Sequence, residues 1–166
     1  MVPVGTDANP LDDPGDAAAL RRYGDALTAA VLAALPGWVE RAVSQRWSAW
    51  NGDTPSAEVV DGARAAGRRA VAEVEPRLRA LLATDVDAQR TNPLAILRDA
   101  VRYPTEVLIG AGVPPVRRDA QAERLFPDDA YDLSPAAFGD LDPSVHQPGL
   151  VWGAAKAHVV LARRRR

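Results

Sequence analysis

Apolar residues recur every three or four positions along most of this chain, and this spacing constrains its fold more than any other feature. From residue 16 to residue 35, for example, Leu20, Leu27 and Val31 fall on one face of a helix drawn at 100° per residue. The strict alternation and hairpin dipeptides that indicate β-strands are not found. A chain of 166 residues with this pattern is long enough to bury its own core. We therefore predict an all-α fold, a single compact helical bundle of five or six helices.

Prolines and glycines suggest where the first helices begin and end. Pro36 and Gly37 interrupt the first pattern, so we expect one helix to end there and a second to run as far as the sequence NGDTP. Thr54 is the expected N-cap of the next helix, with Pro55 at the first helical position and Glu58 close to the position that a capping box requires. In that helix the small residues Ala63, Gly67 and Ala70 share a face and would let a neighbouring helix approach closely.

Two later prolines are expected to bend helices without ending them. The apolar face stays in phase across Pro76 and across Pro104, which is typical of a kink that loses one backbone hydrogen bond but preserves the buried face. We therefore predict two long helices kinked at proline, the second beginning at Pro93, and a groove near Pro104. The alternative is that one helix ends at Tyr103 and another starts at Pro104, because residues before proline disfavour helical backbone angles.

Composition sets the limits of the domain and favours one compartment. Residues 1–14 are rich in proline and aspartate and are expected to form a disordered acidic tail, which leaves residues 15–166 as a single helical domain. The chain contains no cysteine, which excludes disulfides and thiolate zinc sites and suits a reducing compartment. Its start lacks the features of a signal peptide, and no apolar stretch is long enough to cross a membrane. We expect a cytoplasmic protein with no transmembrane segment.

An acidic, loop-rich segment is predicted before the last helix, which would start near Gly149. Residues 128–142 contain five aspartates and no basic residue. Within them, DDAYD resembles the aspartate-rich magnesium motif of all-helical prenyl-diphosphate synthases, but that motif works as a facing pair and only one copy is present. Asp140, Asp142 and His146 would likewise need further convergent ligands to bind a metal. We interpret DDAYD as a solvated acidic loop and expect neither a metal nor a cofactor.

Two polar residues fall on apolar helix faces and define a possible buried polar pocket. Arg46 lies among apolar positions of the second pattern, where it needs a carboxylate partner or an indole such as that of Trp50, or else lines an anion-binding cleft. His158 lies on the apolar face of the last helix, which is more typical of a buried neutral imidazole than of a catalytic group. The four tryptophans are expected to anchor the core: Trp38, Trp47, Trp50 and Trp152.

The C-terminus carries the strongest local charge. Lys156, the single lysine among the 20 basic residues, is followed by four consecutive arginines: Arg163, Arg164, Arg165 and Arg166. Such a cluster attracts nucleic acid or an anionic lipid surface at low salt. The same charges also favour the C-terminal end of a helix dipole and could pair with the aspartates of residues 128–142.

Three stretches of the second half resemble segments of small helical proteins of high-GC actinobacteria: NPLAILRDAVRYPTEVLIGAGVPPVRRDA, FPDDAYDLSPAAF and GLVWGAAKAHV. The resemblance spans about residues 90 to 163. It implies no activity, cofactor or catalytic residue.

Three functional hypotheses are compatible with these features. The first is a non-enzymatic helical adaptor whose groove near Pro104 binds an amphipathic segment of a protein partner. The second is a nucleic-acid or ribosome-associated factor that uses the C-terminal arginines. The third is a small ligand-binding protein or enzyme with an internal pocket at Arg46 or His158.

Overall fold

A computed structural model describes residues 14–83, 93–136 and 138–141. These residues form six helices and no strand: α1 (Pro14–Asn51), α2 (Ala57–Ala83), α3 (Pro93–Asp99), α4 (Arg102–Gly110), α5 (Ala120–Leu125) and α6 (Phe138–Leu141). The predicted all-α fold is confirmed. Within the described residues, no helix combines the length and the apolar character that spanning a bilayer requires. Pro14, the last residue of the expected tail, is the first residue of α1. The rest of that tail, residues 1–13, and the expected last helix from Gly149 lie outside the described residues.

The first helix does not end at Pro36, and our prediction of a break there is wrong. Helix α1 runs for 38 residues with Pro36 in its interior. Proline removes one backbone hydrogen bond and costs about 3 kcal/mol inside a helix. Val31, Leu35 and Val39 surround Pro36 on one face and are all fully buried. Because each buried side chain of this size contributes about 1.5–3 kcal/mol, packing on both sides of the proline outweighs the missing bond.

Helices α1 and α2 are antiparallel neighbours and form the centre of the bundle. Residues 52–56 join them, and contacts pair Glu40 with Arg64 and place Pro36 against Gly67. A Cβ added to Gly67 would lie 3.2 Å from the Cα of Pro36, so the two backbones approach each other closely here. This confirms that the small residues of α2 admit a neighbouring helix, and shows that the helix is α1.

Helix α2 begins later than its sequence signals indicated and continues through its proline as expected. Its N-cap is Ser56 and not Thr54, since the Ser56 hydroxyl accepts a hydrogen bond of 3.4 Å from the backbone N–H of Val59. Beyond Pro76 the same face remains buried, because Val74 and Leu78 are both fully buried.

The predicted helix across Pro104 is divided in two, but the division precedes the proline. Helix α3 ends at Asp99, and Ala100 and Val101 form a turn before α4 begins. A continuous helix would press the ring of Pro104 against the carbonyl of Ala100, four residues earlier. In the structure this carbonyl accepts a bond of 3.2 Å from the N–H of Tyr103, as in a 3₁₀ turn. Pro104 is the third residue of α4, where the absent donor would have no helical partner.

Two buried clusters make up the core and meet at shared neighbours. The larger contains α1, α2, α3 and α4 residues, and the smaller lies at the end of the bundle where α1 meets the start of α2. Val107 and Leu133 pack against both clusters, which makes the core continuous. The expectation that tryptophans anchor the core holds for Trp38, which is buried, but not for Trp50, which is 50% exposed. Trp152 lies outside the described residues.

The close approach of α1 and α2 predicts opposite outcomes for two glycine substitutions in α2. Replacing glycine by alanine inside a helix normally stabilises it by about 1 kcal/mol. At Gly62 the new methyl group would have only ordinary contact with a Val107 methyl at 3.5 Å, so Gly62→Ala should raise the free energy of unfolding by about 0.5–1 kcal/mol. At Gly67 it would press on the Pro36 backbone, so Gly67→Ala should lower that free energy by about 1 kcal/mol. Urea unfolding measures both, and equal gains would contradict the packing described.

Candidate functional site

A cleft of about 420 Å³ opens where α3 meets α4, beside the end of α5. We call it the α3–α5 cleft. Ala95 and Arg98 of α3 form one wall, and Val101 at the α3–α4 turn forms part of the floor. The segment 125–128 forms the opposite wall, which consists of Leu125, Phe126, Pro127 and Asp128. The groove expected near Pro104 is therefore found three residues earlier, at the turn, whereas Pro104 itself is buried.

The side chains of the apolar wall are unevenly covered. Phe126 is half-buried because the guanidinium of Arg98 lies over its ring, 5.2 Å from the centroid. The Nε of Arg98 also donates to the carbonyl of Pro135 at 3.5 Å. Leu125, in contrast, is 58% exposed at the edge of the cleft. The wall thus presents a fixed aromatic ring beside an uncovered aliphatic side chain.

A polar network at the base of the cleft connects α2 to α4. The carboxylate of Glu73 accepts hydrogen bonds from the Tyr103 hydroxyl and from Arg102. Two guanidinium groups, those of Arg69 and Arg102, lie over the Tyr103 ring, each 4.9 Å from its centroid. The hydrogen bond with Tyr103, and next the charge of Glu73, raise the pKa of Arg102. These groups satisfy one another, which is typical of a network that joins two helices.

The wall that carries Leu125 is held in place by side chains bonded to the backbone. Asp119 caps the start of α5 by accepting from Ala122 N–H at 2.8 Å. At the other end of α5, Arg118 donates to the carbonyls of Ala122 and Phe126 at 2.8 and 2.7 Å. Because both ends of this short helix are capped, the position of Leu125 is well defined.

The interpretation of DDAYD as a solvated loop is wrong for its central aspartate. Asp129 is only 1% exposed, and its carboxylate accepts bonds from the N–H groups of Leu133 and Ser134 at 2.8 Å. Two residues later, the buried Tyr131 donates its hydroxyl to the carbonyl of Val113. Asp128 and Asp132 are exposed, as expected. This loop therefore folds through its aspartate, and among the described residues no group of acidic or histidine side chains could hold a metal ion.

Helix α4 ends in the left-handed turn that anchors this loop. Gly112 has a φ of 77°, and the N–H of Val113 donates to the carbonyl of Leu108 at 3.0 Å. The N–H of Gly112 donates to Ile109 at the same distance, which completes a Schellman motif.

A second cleft, of about 410 Å³, contains Arg46, and we call it the Arg46 cleft. Helix α1 contributes Trp38, Arg41, Ala42, Gln45, Arg46 and Ala49, and Asp132, Leu133 and Asp140 face them. Arg46 is half-buried. Within the part of the chain that the structure describes, it forms no ion pair and no cation–π contact with an indole ring.

The remaining site residues expected from the sequence are not among those that the structure describes. His158, the expected companion of Arg46, lies outside the described residues, as do His146 and Asp142. The basic residues Lys156 and Arg163–Arg166 also lie outside them. A role of these five residues in binding nucleic acid stays a prediction from sequence.

No known protein family, curated protein or solved structure matches this chain. The function is therefore inferred from the residues and geometry of the two clefts described above.

The buried Tyr131 predicts a loss of stability at alkaline pH. Burial raises the pKa of Tyr131 above its ordinary value of 10.0, because the folded environment disfavours the phenolate. As the pH rises, the Tyr131 hydroxyl loses its proton in the unfolded chain before it does so in the folded protein. The stability that the neutral, buried tyrosine contributes is therefore complete below pH 10. It falls between pH 10 and the raised pKa of the folded state, by at most about 1.4 kcal/mol per pH unit.

The variant Tyr131→Phe isolates this effect. It should lose about 1 kcal/mol at pH 7, since the hydrogen bond to Val113 is absent, but its stability should fall less steeply between pH 9.5 and about 11. Urea unfolding at each pH gives both slopes. Parallel pH profiles for the two proteins would show that Tyr131 is not buried in this way.

Proposed function

We propose that this protein is a non-enzymatic helical interaction domain of the cytoplasm, and that its α3–α5 cleft binds an amphipathic helical segment of a protein partner. The observation that carries the proposal is Leu125, a large apolar side chain left 58% exposed at the rim of a concave site. The occupant we infer has apolar side chains on one face and basic side chains at its edge.

Exposure at a cleft is what distinguishes Leu125. The structure describes three large apolar residues that are exposed, namely Trp50, Ile109 and Leu125. Of these, Leu125 lines the α3–α5 cleft, next to the half-buried ring of Phe126. Isolated apolar residues are common on protein surfaces, whereas an uncovered one beside a pocket is typical of recognition sites. Covering it releases about 25 cal/mol for each Å² of apolar surface.

The charges around the cleft favour a basic partner. Arg102 is engaged by Glu73, and Arg98 by the Phe126 ring and the Pro135 carbonyl. On the opposite side, Asp128 is exposed and has no hydrogen bond or ion pair with any residue that the structure describes. The unsatisfied charge at the rim is therefore negative, and a lysine or arginine of the partner would complement it.

The size of the cleft is suited to a short segment. A volume of about 420 Å³ holds a few apolar side chains, which matches the anchors at positions i, i+3 or i+4 that one face of a helix presents. A contact of this extent is small, so we expect weak, reversible binding in the micromolar range.

A selection experiment with defined probes tests the proposal. Random 16-residue peptides displayed on phage are selected against the full chain, and the enriched peptides are synthesised. We expect apolar residues at helical spacing and an excess of lysine and arginine. By fluorescence anisotropy, Leu125→Ser should weaken their binding at least tenfold, because the apolar rim is lost, and Asp128→Asn should weaken it several-fold at low salt.

Ile109→Ser is the matched control, since Ile109 is 61% exposed but does not line the cleft. This variant should bind the selected peptides as the unaltered chain does. Peptides that bind Leu125→Ser with undiminished affinity, or an excess of acidic residues among the selected sequences, would overturn the proposal.

A further inference from the structure

We propose that the Arg46 cleft is a second, separate binding site, which takes a small zwitterion with an apolar side chain, the chemistry of a neutral apolar amino acid. In this site Arg46 binds the carboxylate of the ligand, Asp132 binds its ammonium group, and the apolar part lies against Trp38. The inference does not depend on the α3–α5 cleft, and none of the residues that the structure describes lines both clefts.

Arg46 provides the positive charge of the proposed site. Its side chain is half-buried on the face of α1 that lines the cleft. Elsewhere in the described part of the chain, ion pairs with carboxylates are formed by Arg64, Arg69, Arg77, Arg79 and Arg102. Arg46 forms none with a residue that the structure describes, although two aspartates line the same cleft. A guanidinium that is partly shielded from water and unpaired is a strong site for a carboxylate, which it binds through two parallel hydrogen bonds.

Asp132 provides the opposite charge. It is exposed, it has no hydrogen bond or ion pair with another described residue, and it faces Arg46 across the cleft without pairing to it. Its backbone has a φ of 56°, a conformation that aspartate tolerates, so its place in the turn is fixed by the loop on either side. Two opposite charges held apart in one cleft can be bridged by a ligand that carries both.

The total charge of the cleft argues against a simple anion. Among the described residues that line the cleft, Arg41 and Arg46 are matched by Asp132 and Asp140, so the charges of these four side chains sum to zero. Arg41 donates to the Leu141 carbonyl, and Asp140 accepts from the N–H of Ala136 at 2.7 Å, which ties these two groups to the fold. A phosphate or a dicarboxylate placed at Arg46 would meet the aspartates opposite, whereas a zwitterion pairs with both sides.

The apolar surface of the cleft accounts for the side chain of the ligand. Trp38, which is 6% exposed and belongs to the core, also lines the cleft. Ala42 and Ala49 line it from the same helix, and their small side chains leave space for the side chain of a ligand. Leu133 closes the opposite side and is half-buried. The volume of about 410 Å³ exceeds that of one amino acid of the size of leucine, so the ligand would retain some water around it.

Three related compounds test which charges of the ligand are recognised. Leucine carries both groups, N-acetyl-leucine only the carboxylate, and leucinamide only the ammonium group. Chemical shifts of ¹⁵N-labelled full chain are followed during titration with each compound. We expect leucine to bind at least tenfold more tightly than either of the others, with the largest shifts at residues 41–49 and 132–133.

Two substitutions connect each charge to its residue. Arg46→Lys keeps a charge at the position but not the paired hydrogen bonds, so it should weaken leucine and N-acetyl-leucine several-fold and leave leucinamide unchanged. Asp132→Asn should weaken leucine and leucinamide and leave N-acetyl-leucine unchanged. Arg68→Gln is the control, because Arg68 is an exposed arginine of α2 that lines neither cleft. It should alter none of the three affinities.

The outcomes that overturn the inference are equally specific. Equal affinities for the three compounds, no shift with any of them at 20 mM, or tighter binding of inorganic phosphate than of leucine would each exclude a zwitterion site. Leu125→Ser should leave leucine binding unchanged, so failure here and failure of the peptide site can be told apart. Urea unfolding of each variant establishes that it is folded.

Discussion

The close contact between Pro36 of α1 and Gly67 of α2 is the constraint on which the rest of the structure depends. It lets a 38-residue helix pass through a proline without breaking, because the face of α1 on both sides of that proline is buried against α2. A side chain at Gly67 would hold the two backbones apart. The contact therefore requires glycine because glycine has no side chain. Its backbone flexibility is not needed, since Gly67 has ordinary helical backbone angles.

The shorter helices and loops pack against the surfaces of the long helices α1 and α2. The two clefts lie where this packing leaves part of the surface uncovered. The α3–α5 cleft follows from Pro104, since the turn at Ala100 and Val101 separates α3 from α4 and exposes the gap that segment 125–128 borders. The Arg46 cleft lies where the loop after Tyr131 crosses α1. Both loops are pinned by buried polar contacts, those of Asp129 and Tyr131, so the walls of the clefts are part of the fold.

Hydrophobic periodicity was sufficient to predict the helices and their buried faces but not the effect of each proline. Val74 and Leu78 are buried on either side of Pro76, and Val101 and Leu108 on either side of Pro104, as expected. The same test applied to Val31, Leu35 and Val39 would have predicted a continuous α1, whereas the Pro36–Gly37 pair was interpreted by its local preference for turns. At Pro104 the position of the turn is set by the steric conflict between the proline ring and the preceding turn of helix. The spacing of apolar residues does not reveal this turn, because a short 3₁₀ turn leaves the buried face almost in phase.

The candidate sites were less predictable from sequence because they depend on contacts between distant residues. Arg46 was recognisable as a polar residue on an apolar face, but its position opposite Asp132 requires the tertiary fold. Leu125 carried no signal, since a leucine at the end of a six-residue helix is unremarkable until that end borders a cleft. The burial of Asp129 is unpredictable from sequence for a related reason. The composition of DDAYD indicates a solvent-exposed loop, whereas the turn needs one carboxylate to accept hydrogen bonds from the N–H groups of Leu133 and Ser134.

The continuity of α1 through Pro36 is tested most directly by a distance across that residue. Because the chain contains no cysteine, spin labels can be placed at two exposed positions by Ala29→Cys and Ala49→Cys and measured by double electron–electron resonance. Twenty residues of unbroken helix correspond to about 30 Å at 1.5 Å per residue. A narrow distribution centred near ~30 Å is the result expected. A distribution centred below about 25 Å would show that α1 breaks at Pro36 and would contradict the account.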